Sequence, residues 1–208
     1  MGVSLSWIAV RDKPASEFLE QFGLERTGAR CEPHESPYSF REFGNGWALL
    51  MMNRCEHEFL CAKRCRLLSQ GCEVVTCTLE EHVMFSASEE WRGGVQIWRA
   101  CHRAENGCRD LDLDGTPPPE FEQIMEWARS EQDRNDDEVR TNKRSWAKKD
   151  WRILGVDYFF DVPLRLAKSR TSFQHDEEHP EIGENDFDVL VPRREGPLEK
   201  KRSRWRFW

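Results

Sequence analysis

No apolar run in this chain approaches the roughly 18 residues that a membrane-spanning helix needs. No glycine-rich phosphate loop, Gly-x-Ser-x-Gly elbow or dinucleotide fingerprint occurs either, which removes the commonest nucleotide-binding and serine-hydrolase frameworks. Tyrosine is scarce: two residues, against nine Trp and twelve Phe. Large rings with few hydroxyl handles suit a packed core better than a wet stacking surface. There is no Cys-x-x-Cys motif to depress a thiol pKa. Met1–Lys13 lacks the basic and apolar regions of a secretory leader. The eight cysteines are therefore expected to be free thiols in a cytoplasmic, reducing setting.

The 208 residues are 38% apolar and 33% charged, a balance that fits a compact core carrying polar segments that never join it. Net charge is −7, but residues 200–208 hold five basic groups and no acid. Residues 1–199 therefore carry 26 basic against 38 acidic groups, a net of −12. Such a body repels phosphate backbones, so nucleic-acid binding is not expected except through the terminal segment. A basic protein is the partner that its surface fits.

Local pattern predicts an α+β fold: one mixed, mainly antiparallel sheet of five to seven strands with three or four helices packed on it. Strands are expected at Ser4–Val10, Gly46–Met52, Cys72–Leu79, His82–Ala87, Val95–Arg103, Arg109–Leu113 and Ile153–Val162. Helices are expected after Pro14, over Glu58–Gln70, after Pro117 and from Pro163. Thr27–Pro37 reads as a loop. Trp47, Leu49, Val74, Val83, Ile97 and Trp98 are the candidate sheet core. Residues 1–173 read as a single domain, with 131–150 a charged insertion or exposed helical extension. Residues 174–208, acidic and then basic-aromatic, are expected to be a largely disordered tail.

Six of the eight cysteines fall between Cys55 and Cys101. Cys55, His57, Cys61 and Cys65 place four soft ligands within eleven residues, which invites a zinc reading. The i, i+4, i+7 spacing of Cys61, Cys65 and Leu68 is equally that of a buried helical stripe, and packing is the reading adopted, with no metal or cofactor expected. Glu80 and His82 can share a strand face as a carboxylate–imidazole pair, and His102 adjoins Cys101. These four residues are the candidate machinery if the protein is a hydrolase or transferase.

The leading expectation is a non-catalytic binding protein with an acidic surface. Its most concrete form is a toxin-neutralising, immunity-type protein or inhibitor. Glu80, Glu81, Glu89 and Glu90 are the candidate acidic contacts. Arg204, Trp205, Arg206 and Trp208 form a second candidate surface, which in a third reading binds nucleic acid or an anionic membrane.

Overall fold

The computed structural model describes residues 2–145 and 156–193. Within them lies one sheet of nine strands: β1 (Ser4–Arg11), β2 (Leu24–Cys31), β3 (Tyr38–Glu42), β4 (Trp47–Met52), β5 (Glu73–Glu80), β6 (Phe85–Arg92), β7 (Val95–Arg103), β8 (Asp112–Gly115) and β9 (Phe187–Pro192). Their spatial order is β2-β9-β3-β4-β1-β5-β6-β7-β8. Every neighbouring pair is antiparallel. Four α-helices accompany it: α1 (Ala15–Gln21), α2 (Ala62–Leu68), α3 (Phe121–Ser145) and α4 (Asp161–Thr171). None of the described helices is long and apolar enough to cross a membrane.

Alternation along the central strands sends side chains to two faces, and both acquire a core. On one face Trp7, Leu49, Met51, Val75 and Leu79 pack with Leu164 and Ala167 of α4, and with Phe173 and Phe187. On the other, Ile8, Val10, Leu50 and Val74 pack with Phe18 and Phe22 from and beside α1, and with Cys65 and Leu68 of α2. A third cluster joins Trp98 and Ala100 of β7 to Met125 and Ala128 of α3 and Leu166 of α4. Each fully buried Leu, Val or Phe contributes about 1.5–3 kcal/mol relative to exposure. β4, buried at all six positions, is continuous apolar sequence for that reason.

The sheet is wider than the five to seven strands expected, because β2, β3 and β9 carry little local signal. β2 is an edge strand with six of its eight residues exposed, and its ladder shifts register between Arg26 and Arg30. An edge that buries almost nothing has no apolar alternation to read. Its partner β9 lies in the segment expected to be a disordered tail. Asp188 of β9 pairs with Arg26 at 2.8 Å and with Arg30 at 2.6 Å, so cations more than 150 residues upstream hold this acidic stretch in the sheet.

Other differences have local causes. The strand expected over His82–Ala87 begins at Phe85, because residues 81–84 form the β5–β6 turn. Val83, an expected core residue, is therefore 63% exposed at that turn, and Ile97 is half-buried, whereas Trp47, Leu49, Val74 and Trp98 are buried. The helix expected over Glu58–Gln70 is a 3-10 turn and α2, interrupted where Cys61 adopts an extended conformation, ψ 142°. Within the strand expected over Ile153–Val162, residues 158–160 form a turn and α4 starts at Asp161. Pro163 is tolerated in that first turn because its missing N–H would find no intrahelical acceptor there. α3 continues to Ser145, covering part of the charged 131–150 stretch, and Arg109 ties it down through Asp133 and Asp136, both at 2.7 Å.

Candidate functional site

The face that carries α1 and α2 is only half covered. Along β5 the residues on this face run Val74, Thr76, Thr78, Glu80; along β6, in the opposite direction, they run Trp91, Glu89, Ala87, Phe85. Along β1 they change from Val10 and Ile8 to Ser6 and Ser4. The apolar ends lie beneath the helices. The polar ends form the floor of an open trough over β5, β6 and β7.

One wall is the loop after β4, pegged to the sheet by three strand hydroxyls. Ser4 Oγ accepts the Cys55 N–H at 3.2 Å, and Thr78 Oγ1 accepts that of Glu56 at 2.8 Å. Ser6 Oγ donates to the Arg54 carbonyl at 2.7 Å and accepts the His57 N–H at 3.3 Å. Held this way, Glu56 sits at φ +48°, a left-handed conformation costing a glutamate about 1–3 kcal/mol. Such outliers persist where the surroundings over-determine them, and this one projects from the point where two adjoining depressions meet.

Those depressions are lined by five carboxylates and two guanidinium groups. Both cations are already engaged. Arg99 lies 3.4 Å from Glu89 and 3.1 Å from Asp112, and Arg103 stacks 5.6 Å from the Phe85 ring centre. The Ser4 hydroxyl, followed by His82, holds the Glu80 carboxyl below its usual range. Glu56, Glu58 and Glu105 are exposed and form no ion pair among the described residues. The trough thus offers unpaired negative charge around a rigid floor, with Phe85 and Leu60 as apolar contacts.

The structure distributes the residues singled out from sequence. Glu80 and His82 do pair, at 2.6 Å between Oε1 and Nδ1, but His82 is an exposed turn residue. Cys101 is buried on the trough side of β7, while its neighbour His102 is buried on the opposite face. Both His102 nitrogens are engaged: Nε2 lies 3.0 Å from Asp157 and Nδ1 2.7 Å from the Asp110 carbonyl. Asp157 also accepts the Phe159 and Phe160 N–H groups, so His102 fastens β7 to the entrance of α4.

Glu89 lies in the trough, but Glu90 is 2% exposed on the far face and is not available to a partner. Glu81 accepts the Val3 N–H at 2.8 Å beside the β5–β6 turn. Arg204, Trp205, Arg206 and Trp208 lie outside the described residues. Glu56, Glu58, Phe85, Arg99, Arg103 and Glu105 were missed. The change from apolar to polar along one strand face is a signal that could have located the floor of the trough, whereas Glu56, Glu58 and Glu105 lie off the strands.

The proposed metal ligands do not converge. Cys61 is exposed, Cys65 is buried, and Cys55 rests against Thr78. His57 Nδ1 accepts the Phe59 N–H at 3.2 Å, and its Nε2 lies 3.5 Å from the Tyr38 hydroxyl. Among the described residues no group of three or more His, Cys, Asp or Glu is placed to hold a metal ion. All eight cysteines are free. Burial pushes the Cys65 thiol up to about 12 and that of Cys77 higher, which keeps both protonated and unreactive.

His102 gives a pH dependence with a definite sign. Burial is the largest influence on the imidazole and lowers its pKa. The Asp157 and Asp110 contacts outweigh it, and the folded value lies above the ordinary 6.5. The stability it contributes is complete below about pH 6.5 and is lost as pH rises through the folded value. Urea unfolding of wild type and His102→Gln between about pH 6 and 9 should show the wild-type advantage shrinking as pH rises. An advantage that grows with pH would mean that the buried ring is neutral.

No family model matches the chain, and comparisons with curated proteins and with solved structures gave no match. Chemistry at the trough is therefore the basis for a function.

Proposed function

We propose that this protein is a non-catalytic binding protein whose trough receives a basic segment of a protein partner. The observation that carries the reading is the trough's lining of five carboxylates against two guanidiniums, Arg99 paired with Glu89 and Asp112 and Arg103 stacked on Phe85. The −12 charge of residues 1–199 extends the same sign over the molecule and steers a basic partner toward it. An inhibitor or immunity-type protein that occludes a basic toxin is the most concrete form. A basic nuclease, whose substrate site is cationic by necessity, is the kind of target such a surface matches.

Of the groups that an enzyme reading requires, only Glu80 and His82 meet. Glu80 at the end of β5 pairs with His82 in the exposed turn, Cys101 is buried beside the trough floor, and His102 is spent on the opposite face. Titration with an arginine- and lysine-rich peptide tests the binding reading. Its affinity should fall several-fold as salt rises from about 0.05 to 0.3 M, because the screening length shrinks over that range from above about 10 Å to below about 8 Å. His82→Ala should leave that affinity within a factor of about two, because His82 is an exposed turn residue outside the lining of the trough. Salt-independent binding, or its loss in His82→Ala with stability intact, would refute the reading.

A further inference from the structure

We propose that the chain's own segment Lys200–Trp208 occupies the acidic trough until a partner displaces it. This rests on the reading of the trough as a site for basic segments, and it names one such segment. Two observations carry it. Lys200–Trp208 has five cations, no acid and three large aromatic rings, whereas the trough has five carboxylates and exposes Phe85, Leu60 and, at its rim, Val83. The second is periodicity. Arg202, Arg204 and Arg206 alternate with Ser203, Trp205 and Phe207. An extended segment would therefore present arginines on one side and rings on the other, repeating at about 6.6–6.8 Å. Glu56, Glu58 and Glu105 supply unpaired acceptors for the first side, and Phe85 and Val83 an apolar surface for the second.

Reach is sufficient. Arg193, the last described residue, donates its N–H to the Gly23 carbonyl at 2.7 Å, on the side of the sheet formed by β2 and β9. From β9 to β6 is five strand steps, about 24 Å across the sheet. The seven residue steps from Arg193 to Lys200 span up to about 25 Å when extended, which matches that distance and brings Lys200 to the trough. A tethered ligand acts at a millimolar-scale effective concentration, so even a weak contact fills the site for much of the time. A partner then binds with its affinity divided by the fraction of troughs left open.

The test compares the full chain with a full-length variant carrying Lys200→Glu, Lys201→Glu, Arg202→Glu, Arg204→Glu and Arg206→Glu. Amide chemical shifts of the two proteins should differ at Glu56, Phe85, Arg99 and Glu105, independently of protein concentration. A synthetic Lys200–Trp208 peptide should bind the variant about tenfold more tightly than the wild type, the gain expected when a trough nine-tenths occupied is emptied. Unchanged trough shifts with equal peptide affinity would overturn the proposal. So would differences that vanish on dilution, which would assign the contact to a second copy. If the peptide still maps to the trough of the variant, the proposed function survives that failure. If it maps elsewhere, both fall.

Discussion

Glu90→Ala should destabilise the protein by about 3–5 kcal/mol, a large part of the roughly 5–15 kcal/mol that holds a domain together. Glu90 is 2% exposed and accepts the Trp98 indole N–H at 2.7 Å. Arg92 also contacts it, and Arg170 of α4 lies 3.3 Å away. Glu73 joins the same cluster, 3.5 Å from Arg92 and 3.6 Å from Arg170. Replacing a buried ion pair by apolar groups of matching volume costs little, but removing the buried Glu90 leaves Arg92 and Arg170 with Glu73 as their one remaining partner in the cluster. Alanine here strands the Trp98 N–H and part of the Arg170 charge beneath the sheet. Glu90→Gln keeps an acceptor for the indole and should fall between alanine and wild type. Urea denaturation measures both, and an alanine variant within about 1 kcal/mol of wild type would show that the cluster contributes little.

A combined Glu56→Lys, Glu58→Lys, Glu105→Lys variant should lose about a hundredfold in affinity for a basic peptide, close to 2.7 kcal/mol. These three carboxylates are exposed and unpaired among the described residues, so reversal breaks no ion pair there and should change stability little. It also places cations beside Arg99 and Arg103, and like-charge juxtaposition is how an interface rejects a ligand. Isothermal titration, with thermal unfolding as the control for folding, measures the effect. A change below threefold with the fold intact would move the binding surface elsewhere.

What was legible in the sequence follows from what each segment buries. Ser4–Val10, Gly46–Met52, Cys72–Leu79 and Val95–Arg103 lie in the middle of the sheet or against helices, so their apolar patterns announce them. β2 and β9 are specified by each other: Arg26 and Arg30 on one, Asp188 on the other, each ambiguous until paired. Val83 was misplaced because the turn at residues 81–84 has none of the glycine or proline signals that mark the other hairpins. Met84 takes the left-handed conformation there without one, at φ +49°.

The candidate site was harder to see for a related reason. Glu80 and Glu89 were picked out as charges, but Glu56 and Glu58 looked like helix flanks among possible ligands. Their common purpose depends on Ser4, Ser6 and Thr78, three small hydroxyls on the neighbouring strands β1 and β5, far apart in sequence, that together fix one loop. No local window contains that arrangement. Glu90 shows the converse: adjacent to Glu89 in sequence, it is buried on the opposite face of the sheet within an ion cluster, as strand alternation requires.

Mapping a bound basic peptide onto the protein by amide chemical-shift changes is the most direct measurement of the central claim, that the open polar half of the sheet is where a partner binds. The largest changes should fall on Glu56, Glu58, Phe85, Glu89, Arg99 and Glu105, with the faces under α1 and α4 unaffected. Changes spread evenly over the acidic surface, or centred on the acidic residues of α3, would contradict it.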